Sequence, residues 1–278
     1  MIYNSKILKS NDMFLGTGVS FTSIEKDAES VIEAALVSGV RHFDTAPSYN
    51  TESLLGKLLY KICNDKGIHR EEIFIQTKID AIQMQDCLDK KIKYFVEDAL
   101  NKLKTDYLDS VLIHWPIPEY LDRTWHQLES LKQSNLVKNI GICNVRMRQL
   151  IMLLDYRPDI IQIERHPLNT FFDEVNFCIE NAICVQAYSP LCKMDNRIKN
   201  NMTIKKIGEK YHKSISQIVL RWHLDTGVIP VFTTSKPERI FEHISIDDFS
   251  LDKDEIEEIN AINQDYKIYL ESISCPGF

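Results

Sequence analysis

Four polar residues close or follow short apolar runs. Asp44 follows Arg41–Phe43, Tyr49 comes five residues later, Lys78 follows Ile73–Thr77, and His114 follows Leu108–Ile113. Together such groups can put a proton on a carbonyl oxygen. Tyrosine's ordinary pKa of about 10 is too high for an acid near neutral pH. A nearby ammonium such as Lys78 stabilises the phenolate and lowers that value. A buried lysine is costly unless paired, and Asp44 is the obvious partner. His114 could donate a hydrogen bond that orients the carbonyl and steadies its developing negative charge. The set holds no hydride source, so a nicotinamide cofactor would have to supply one. Taken singly, each residue has an ordinary reading. A strand-end aspartate caps helices, a lysine is solvated, and a histidine serves structure. The four make a site only in an architecture that aims them at one point.

The elements around them suggest that architecture. Short β-branched runs recur at Phe14–Leu15, Arg41–Phe43, Ile73–Thr77, Leu108–Ile113, Val137–Ile142, Ile160–Ile163, Ile183–Ala187 and Val228–Phe232. Runs that are apolar throughout suit a parallel sheet covered on both faces. Helical patterns lie between them. After Ile24, residues Ala28, Val31, Ile32, Ala35 and Leu36 share a face, with Thr22 and Glu25 at capping-box spacing and Gly39 at the end. After Asp86, residues Leu88, Ile92, Phe95, Val96, Ala99 and Leu100 repeat the pattern, and Gln217–Leu224 gives a weaker version. Eight such units in about 250–280 residues predict a (β/α)8 TIM barrel with reactive groups at the C-terminal strand ends. Asn144, Gln162, Glu164, Tyr188, Ser189, Thr233 and Thr234 join the first four there. The alternative, an open doubly wound sheet, should carry Gly-x-Gly-x-x-Gly after its first strand. Gly16 and Gly18 begin that pattern, but Phe21 stands at the third position.

Composition bounds the rest. The chain has 278 residues, 44% hydrophobic and 26% charged, with a net charge of −7. That is an ordinary globular balance and argues against a nucleic-acid surface. No run approaches a membrane span, and the first residues lack the apolar core of a signal peptide. Seven scattered cysteines without a Cys-x-x-Cys pair argue against a disulfide framework or structural zinc. The expectation is a cytoplasmic monomer, a single domain over 1–278, with no membrane, nucleic-acid or metal partner.

In this light the chain resembles the aldo-keto reductases along nearly its whole length. GVRHFDTAPSYNTE resembles the family segment bearing the catalytic Asp and Tyr, here Asp44 and Tyr49. FIQTK resembles the strand ending in the catalytic lysine, Lys78, and DYLDSVLIHWP the stretch bearing the histidine, His114. NLVKNIGICN, IQIERHP, QAYSPL and LRWHLDTGVIP…SKPERI follow in family order.

The resemblance implies a barrel with an N-terminal β-hairpin cap that reduces aldehydes or ketones, and NADPH/NADP+ as cofactor, with NADH as the alternative. It implies that Asn144 and Cys143 hold the nicotinamide carboxamide, with Gln162 assisting. Tyr188 would lie beneath the ring, Ser189 and Leu191 near the pyrophosphate, and Arg239 over the adenine and a 2′-phosphate. Gly18 and Val19 would flank the cofactor, and Ser20 and Trp115 the substrate.

The chain departs from the family pattern in four places. Thr233 stands at the usual phosphate-binding lysine, leaving Thr234, Arg239 and Lys236 for that task. His243 replaces an adenine-contacting asparagine. Ser20 replaces a bulky tryptophan. The loops after His114 and Leu191, and the tail from Tyr266, are short, which predicts an open pocket.

Histidine rather than glutamate at 114 implies C=O rather than C=C reduction. Two other readings compete. One is a cofactor-sensing regulatory subunit on the same fold. The other is a metal-dependent hydrolase using His42, Asp44, His114, Glu164 and His166.

Overall fold

The computed structural model describes residues 7–18, 21, 24–86 and 91–270. Eight strands, each parallel to its neighbours, close into a barrel in chain order. They are β1 (Phe14–Gly16), β2 (His42–Asp44), β3 (Phe74–Ile79), β4 (Leu108–Ile113), β5 (Val137–Cys143), β6 (Ile160–Glu164), β7 (Cys184–Tyr188) and β8 (Val228–Phe232). Closure comes from β8 pairing with β1, Val231 opposite Phe14. The apolar runs therefore mark all eight strands to within a residue or two.

Helices cover the outside. They are α1 (Glu25–Val37), α2 (Glu52–Lys66), α3 (Ala81–Asp86), α4 (Ile92–Leu103), α5 (Pro118–Gln133), α6 (Met147–Leu153), α7 (Phe172–Glu180), α8 (Asn196–Lys199), α9 (Met202–Tyr211), α10 (Ile215–Asp225), α11 (Pro237–Ile244) and α12 (Lys253–Asn260). Ala28, Val31, Ile32, Ala35 and Leu36 of α1 are buried as their spacing requires, and Gly39 follows with φ +89°. The capping box expected there is not what starts the helix. Ile24 is the N-cap, Glu25 is the first helical residue, and its carboxylate pairs with Lys57 on α2, while Thr22 lies outside the described residues. The weak pattern over Gln217–Leu224 has a tertiary cause. Every one of those α10 residues is buried, so no polar face contrasts with an apolar one.

Two further expectations meet the structure differently. No hairpin precedes β1 among the described residues, which approach it from residue 7 through a 3₁₀ turn at Ser10–Asp12, while residues 1–6 lie outside them. The loop after His114 is short as expected, residues 114–117 alone separating β4 from α5.

The barrel interior is layered. Toward the N-terminal strand ends, the rings of Phe14, His42 and Phe74 pack with centroids 4.9–5.4 Å apart. Two residues along each strand, the layer turns polar. The Gln76 amide donates to Asp44 (2.6 Å) and Gln186 (2.8 Å), Gln162 donates to Gln186 (2.9 Å), and the Ser110 hydroxyl donates to Gln76 (2.7 Å). Buried amides are tolerable when paired in this way. They give the strand-end chemistry a rigid, hydrogen-bonding floor.

Candidate active site

Asp44, Tyr49, Lys78 and His114 converge at the C-terminal mouth of the barrel. Register explains how. Asp44 ends β2 opposite Gln76, and two residues further along β3 the alternation returns Lys78 to the same interior side. The Lys78 ammonium donates to both Asp44 oxygens (2.8 Å each) and to the Thr45 carbonyl (2.9 Å), and it stands 4.9 Å from the centre of the Tyr49 ring. Burial would lower the Lys78 pKa, but the anionic forms of Asp44, Tyr49 and Cys143 outweigh it and hold it above its ordinary value. The Tyr49 hydroxyl lies 3.4 Å from His114 Nε2, with the two rings nearly perpendicular.

The direction of the tyrosine's tuning is not the one expected. Burial pushes the Tyr49 pKa up to about 12; Lys78 pulls it down, but Asp44 partly cancels that pull. Tyr49 rests as a neutral phenol.

One partner was missed. Asp80 lies two residues beyond Lys78, just ahead of α3, and its Oδ1 is 2.5 Å from His114 Nδ1. Its Oδ2 accepts from the Ser48 backbone N–H (2.7 Å), next to Tyr49. The alternation that carries Lys78 inward carries Asp80 the same way, and that was the available signal. Burial would raise the Asp80 pKa, but its bonds from His114 and Ser48 hold it below the usual carboxylate value. Burial, with Lys78 nearby, holds His114 below the usual imidazole value despite Asp80.

A cleft of about 930 Å³ opens over this cluster. It runs from Gly18, Tyr49, His114 and Trp115 past Asn144, Gln162, Tyr188, Ser189 and Leu191 to Thr233, Thr234, Lys236, Arg239 and His243. Asn144, whose φ is +61°, accepts from the Tyr188 hydroxyl (2.7 Å) and donates to the His114 carbonyl (2.9 Å). The structure brings three expected residues in less directly. Cys143 is fully buried, packed with Leu112 and Ile160 below the cleft floor. Both Gln162 amide protons are spent below, on Gln186 (2.9 Å) and Asp44 (3.2 Å), while its oxygen accepts from the Cys143 thiol (3.8 Å) and keeps one lone pair. Thr233 donates its hydroxyl to the Gly16 carbonyl, tying β8 to β1 rather than reaching outward. His243 is neutral, its pKa lowered to about 4 by burial and Arg239, and its buried Nδ1 has no hydrogen-bond partner. Val19 and Ser20 lie outside the described residues.

The sequence profile of the Aldo/keto reductase family matches residues 12–264. The chain belongs to that family. Methylglyoxal reductase DkgA of Escherichia coli is 35% identical over 255 residues, covering 90% of this chain and 89% of that protein. Glyoxal reductase of Bacillus subtilis is 32% identical over 258 residues, covering 92% and 90%. Among solved structures, aldose reductase from Schistosoma japonicum aligns with TM-score 0.84 at 27% identity, covering 92% of this chain and 90% of that one. Bombyx mori aldo-keto reductase in complex with NADP aligns with TM-score 0.82 at 29% identity, covering 94% and 92%.

In this aldo/keto reductase the described segment after Tyr266 is anchored to the barrel. Glu164 accepts from the backbone N–H groups of Ile268 (2.6 Å) and Tyr269 (2.9 Å), and His166 Nε2 stands 3.0 Å from the same carboxylate. That anchor seats Tyr269 in the cleft wall, its ring 5.9 Å from that of Tyr188. The hydrolase reading loses its ligand set. His42 points to the other end of the barrel, with Nδ1 3.0 Å from the Asn11 carbonyl, Asp44 is taken by Lys78, and Glu164 holds the tail. Among the described residues no group of three His, Cys, Asp or Glu is arranged to hold a metal, and no helix is long and apolar enough to cross a membrane.

Proposed function

We propose that this protein reduces small aldehydes or ketones with NADPH, α-oxoaldehydes such as methylglyoxal being the first substrates to try. The convergence of the Tyr49 hydroxyl, the His114 imidazole and the buried Lys78–Asp44 pair on one cleft carries the reading. Relatives named for methylglyoxal and glyoxal reduction, and a structural neighbour in complex with NADP, support it.

The cleft's chemistry fits a long anionic dinucleotide. Lys193, Lys199, Lys236 and Arg239 line it at a distance from the tetrad, and the orphaned Nδ1 of His243 offers a neutral hydrogen-bonding atom beside Arg239. Lys236 and Arg239 would hold a 2′-phosphate, since Thr233 is committed to Gly16. Asn144 and the Gln162 oxygen would hold a carboxamide, and Tyr188, kept in place by its bond to Asn144, would lie against the ring. When bound, a reduced nicotinamide supplies hydride to the carbonyl carbon.

The chain's own residues then manage the oxygen. With its pKa near 12, Tyr49 keeps its proton until a developing alkoxide, a far stronger base, takes it. Lys78 lowers the cost of the phenolate left behind, and Asp44 keeps Lys78 charged and aimed. His114 faces the same oxygen position as Tyr49.

The test is a fluorescence titration with NADPH and NADH side by side, followed by turnover of methylglyoxal. Tighter NADPH binding, weakened about 10–100-fold in Arg239→Ala, is the expected result for loss of one charge-assisted contact. Binding of neither cofactor overturns the reading. Binding without turnover across a carbonyl panel would favour the regulatory subunit instead.

A further inference from the structure

His114 is the group in the site whose hydrogen-bonding role depends on where its protons sit. A neutral imidazole has one N–H and one bare nitrogen, and the partner of one nitrogen decides the state of the other. Here Nδ1 faces the Asp80 carboxylate at 2.5 Å, while Nε2 faces the Tyr49 hydroxyl at 3.4 Å. An ionised carboxylate can only accept, so Nδ1 must carry a proton. A neutral His114 therefore turns a lone pair, not a proton, toward Tyr49 and the carbonyl position.

We propose that Asp80 is a positioning residue: it locks His114 in the Nδ1–H tautomer, so His114 can donate to a substrate oxygen only as an imidazolium. At rest the Tyr49 hydroxyl donates to Nε2. When His114 takes a proton from solvent, Nε2–H becomes the donor and the Tyr49 proton is freed to turn toward the carbonyl oxygen. The two states differ by one proton, held at Nε2, and Nδ1–H stays on Asp80 in both.

The same carboxylate ties this to the acid itself. Asp80 also takes the Ser48 backbone N–H at 2.7 Å and faces the Ser48 hydroxyl at 3.2 Å, so the loop that carries Tyr49 and the ring of His114 share one anchor. Both side chains are largely enclosed, His114 13% and Asp80 17% exposed, so water competes poorly for the pair. Among the described residues, the other charged or titratable groups near the ring are Lys78 from β3, Asp44 from β2, Tyr49 from the loop after β2, and the Cys143 thiol, which lies close to Asp80 and Lys78, from β5. Lys78 disfavours the imidazolium and is itself matched by Asp44, which leaves Asp80 as the carboxylate in direct contact with the ring.

The catalytic consequence rests on the reductase reading; the tautomer does not. Long-range 1H–15N spectra of the full chain labelled in histidine, with His114 assigned by its loss in His114→Gln, read the protonated nitrogen directly. The expected wild-type spectrum shows Nδ1–H and a bare Nε2 at neutral pH. In Asp80→Asn the proton affinity of His114 should fall about tenfold, the scale for losing one contacting opposite charge. The high-pH limb of kcat/KM should move to lower pH by the same amount, with NADPH affinity unchanged. An Nε2–H tautomer in the wild type overturns the proposal, and that spectrum decides even if the variant does not fold. A titration unaltered in Asp80→Asn, or a rate that stays flat where His114 titrates, overturns it too. The expected spectra from a protein that reduces no carbonyl would leave the positioning standing and sink the reductase reading alone.

Discussion

Both oxygens of Asp44 lie 2.8 Å from the Lys78 ammonium, and neither side chain is more than 4% exposed. Removing one partner of such a pair strands a buried charge. Lys78→Met should therefore cost about 3–5 kcal/mol of stability as well as turnover. Urea unfolding separates the two effects. Adding Asp44→Asn removes the stranded charge and should recover most of the stability with none of the activity. A double variant as unstable as Lys78→Met would show that the loss comes from packing.

Tyr49→Phe removes one oxygen and leaves the ring beside Lys78. Loss of a general acid is worth at least about 10²-fold in kcat. NADPH binding should be unaffected, because the hydroxyl faces His114 Nε2 (3.4 Å) within the tetrad. Pre-steady-state rates with methylglyoxal check this, and near-wild-type turnover would end the acid assignment.

The buried histidines make stability fall in acid. His243 titrates near 4 in the fold against an ordinary 6.5, and His223 is displaced in the same direction, in both cases chiefly by burial. Between those values the unfolded chain carries protons that the folded chain does not. The stability owed to each neutral ring is complete above pH about 6.5 and is lost as pH falls toward the folded value, at about 1.4 kcal/mol per pH unit per proton. His243→Asn should reduce that slope by one proton's worth between about pH 4.5 and 6. Parallel slopes for variant and wild type would refute it.

Gly56 on α2 faces α4 so closely that a Cβ would stand 2.3 Å from the Lys102 carbonyl oxygen. The obstacle is backbone and cannot rotate away. Gly56→Ala should destabilise by about 1–3 kcal/mol although alanine is the better helix former. A thermal melt reads this, and because Thr77 donates to Glu52 at the start of the same helix, some loss of site order should accompany it.

Much of this protein is written locally. A strand covered on both faces must be apolar throughout, so eight such runs separated by helical periodicity mark the barrel and its strand ends. Parallel strands present their C-terminal ends at one mouth, so Asp44, Lys78 and His114 could be assigned to a common site from their place in each run alone. Tertiary contact decided what local pattern cannot carry. Asp80 and His114 are 34 residues apart, and only closure of β3 against β4 sets one nitrogen on the carboxylate and turns the other toward Tyr49. The glutamine layer under Asp44 joins β3, β6 and β7 across the barrel interior, a distance in sequence that no spacing rule spans. The upward displacement of Tyr49 is likewise a sum over burial, Lys78 and Asp44 together. Glu25 is the first residue of α1 and not its third, so it cannot close a capping box, and its carboxylate reaches Lys57 on the next helix. Periodicity and strand-end position depend on a few adjacent residues, whereas hydrogen-bond partners and burial depend on which distant segments the closed barrel brings into register.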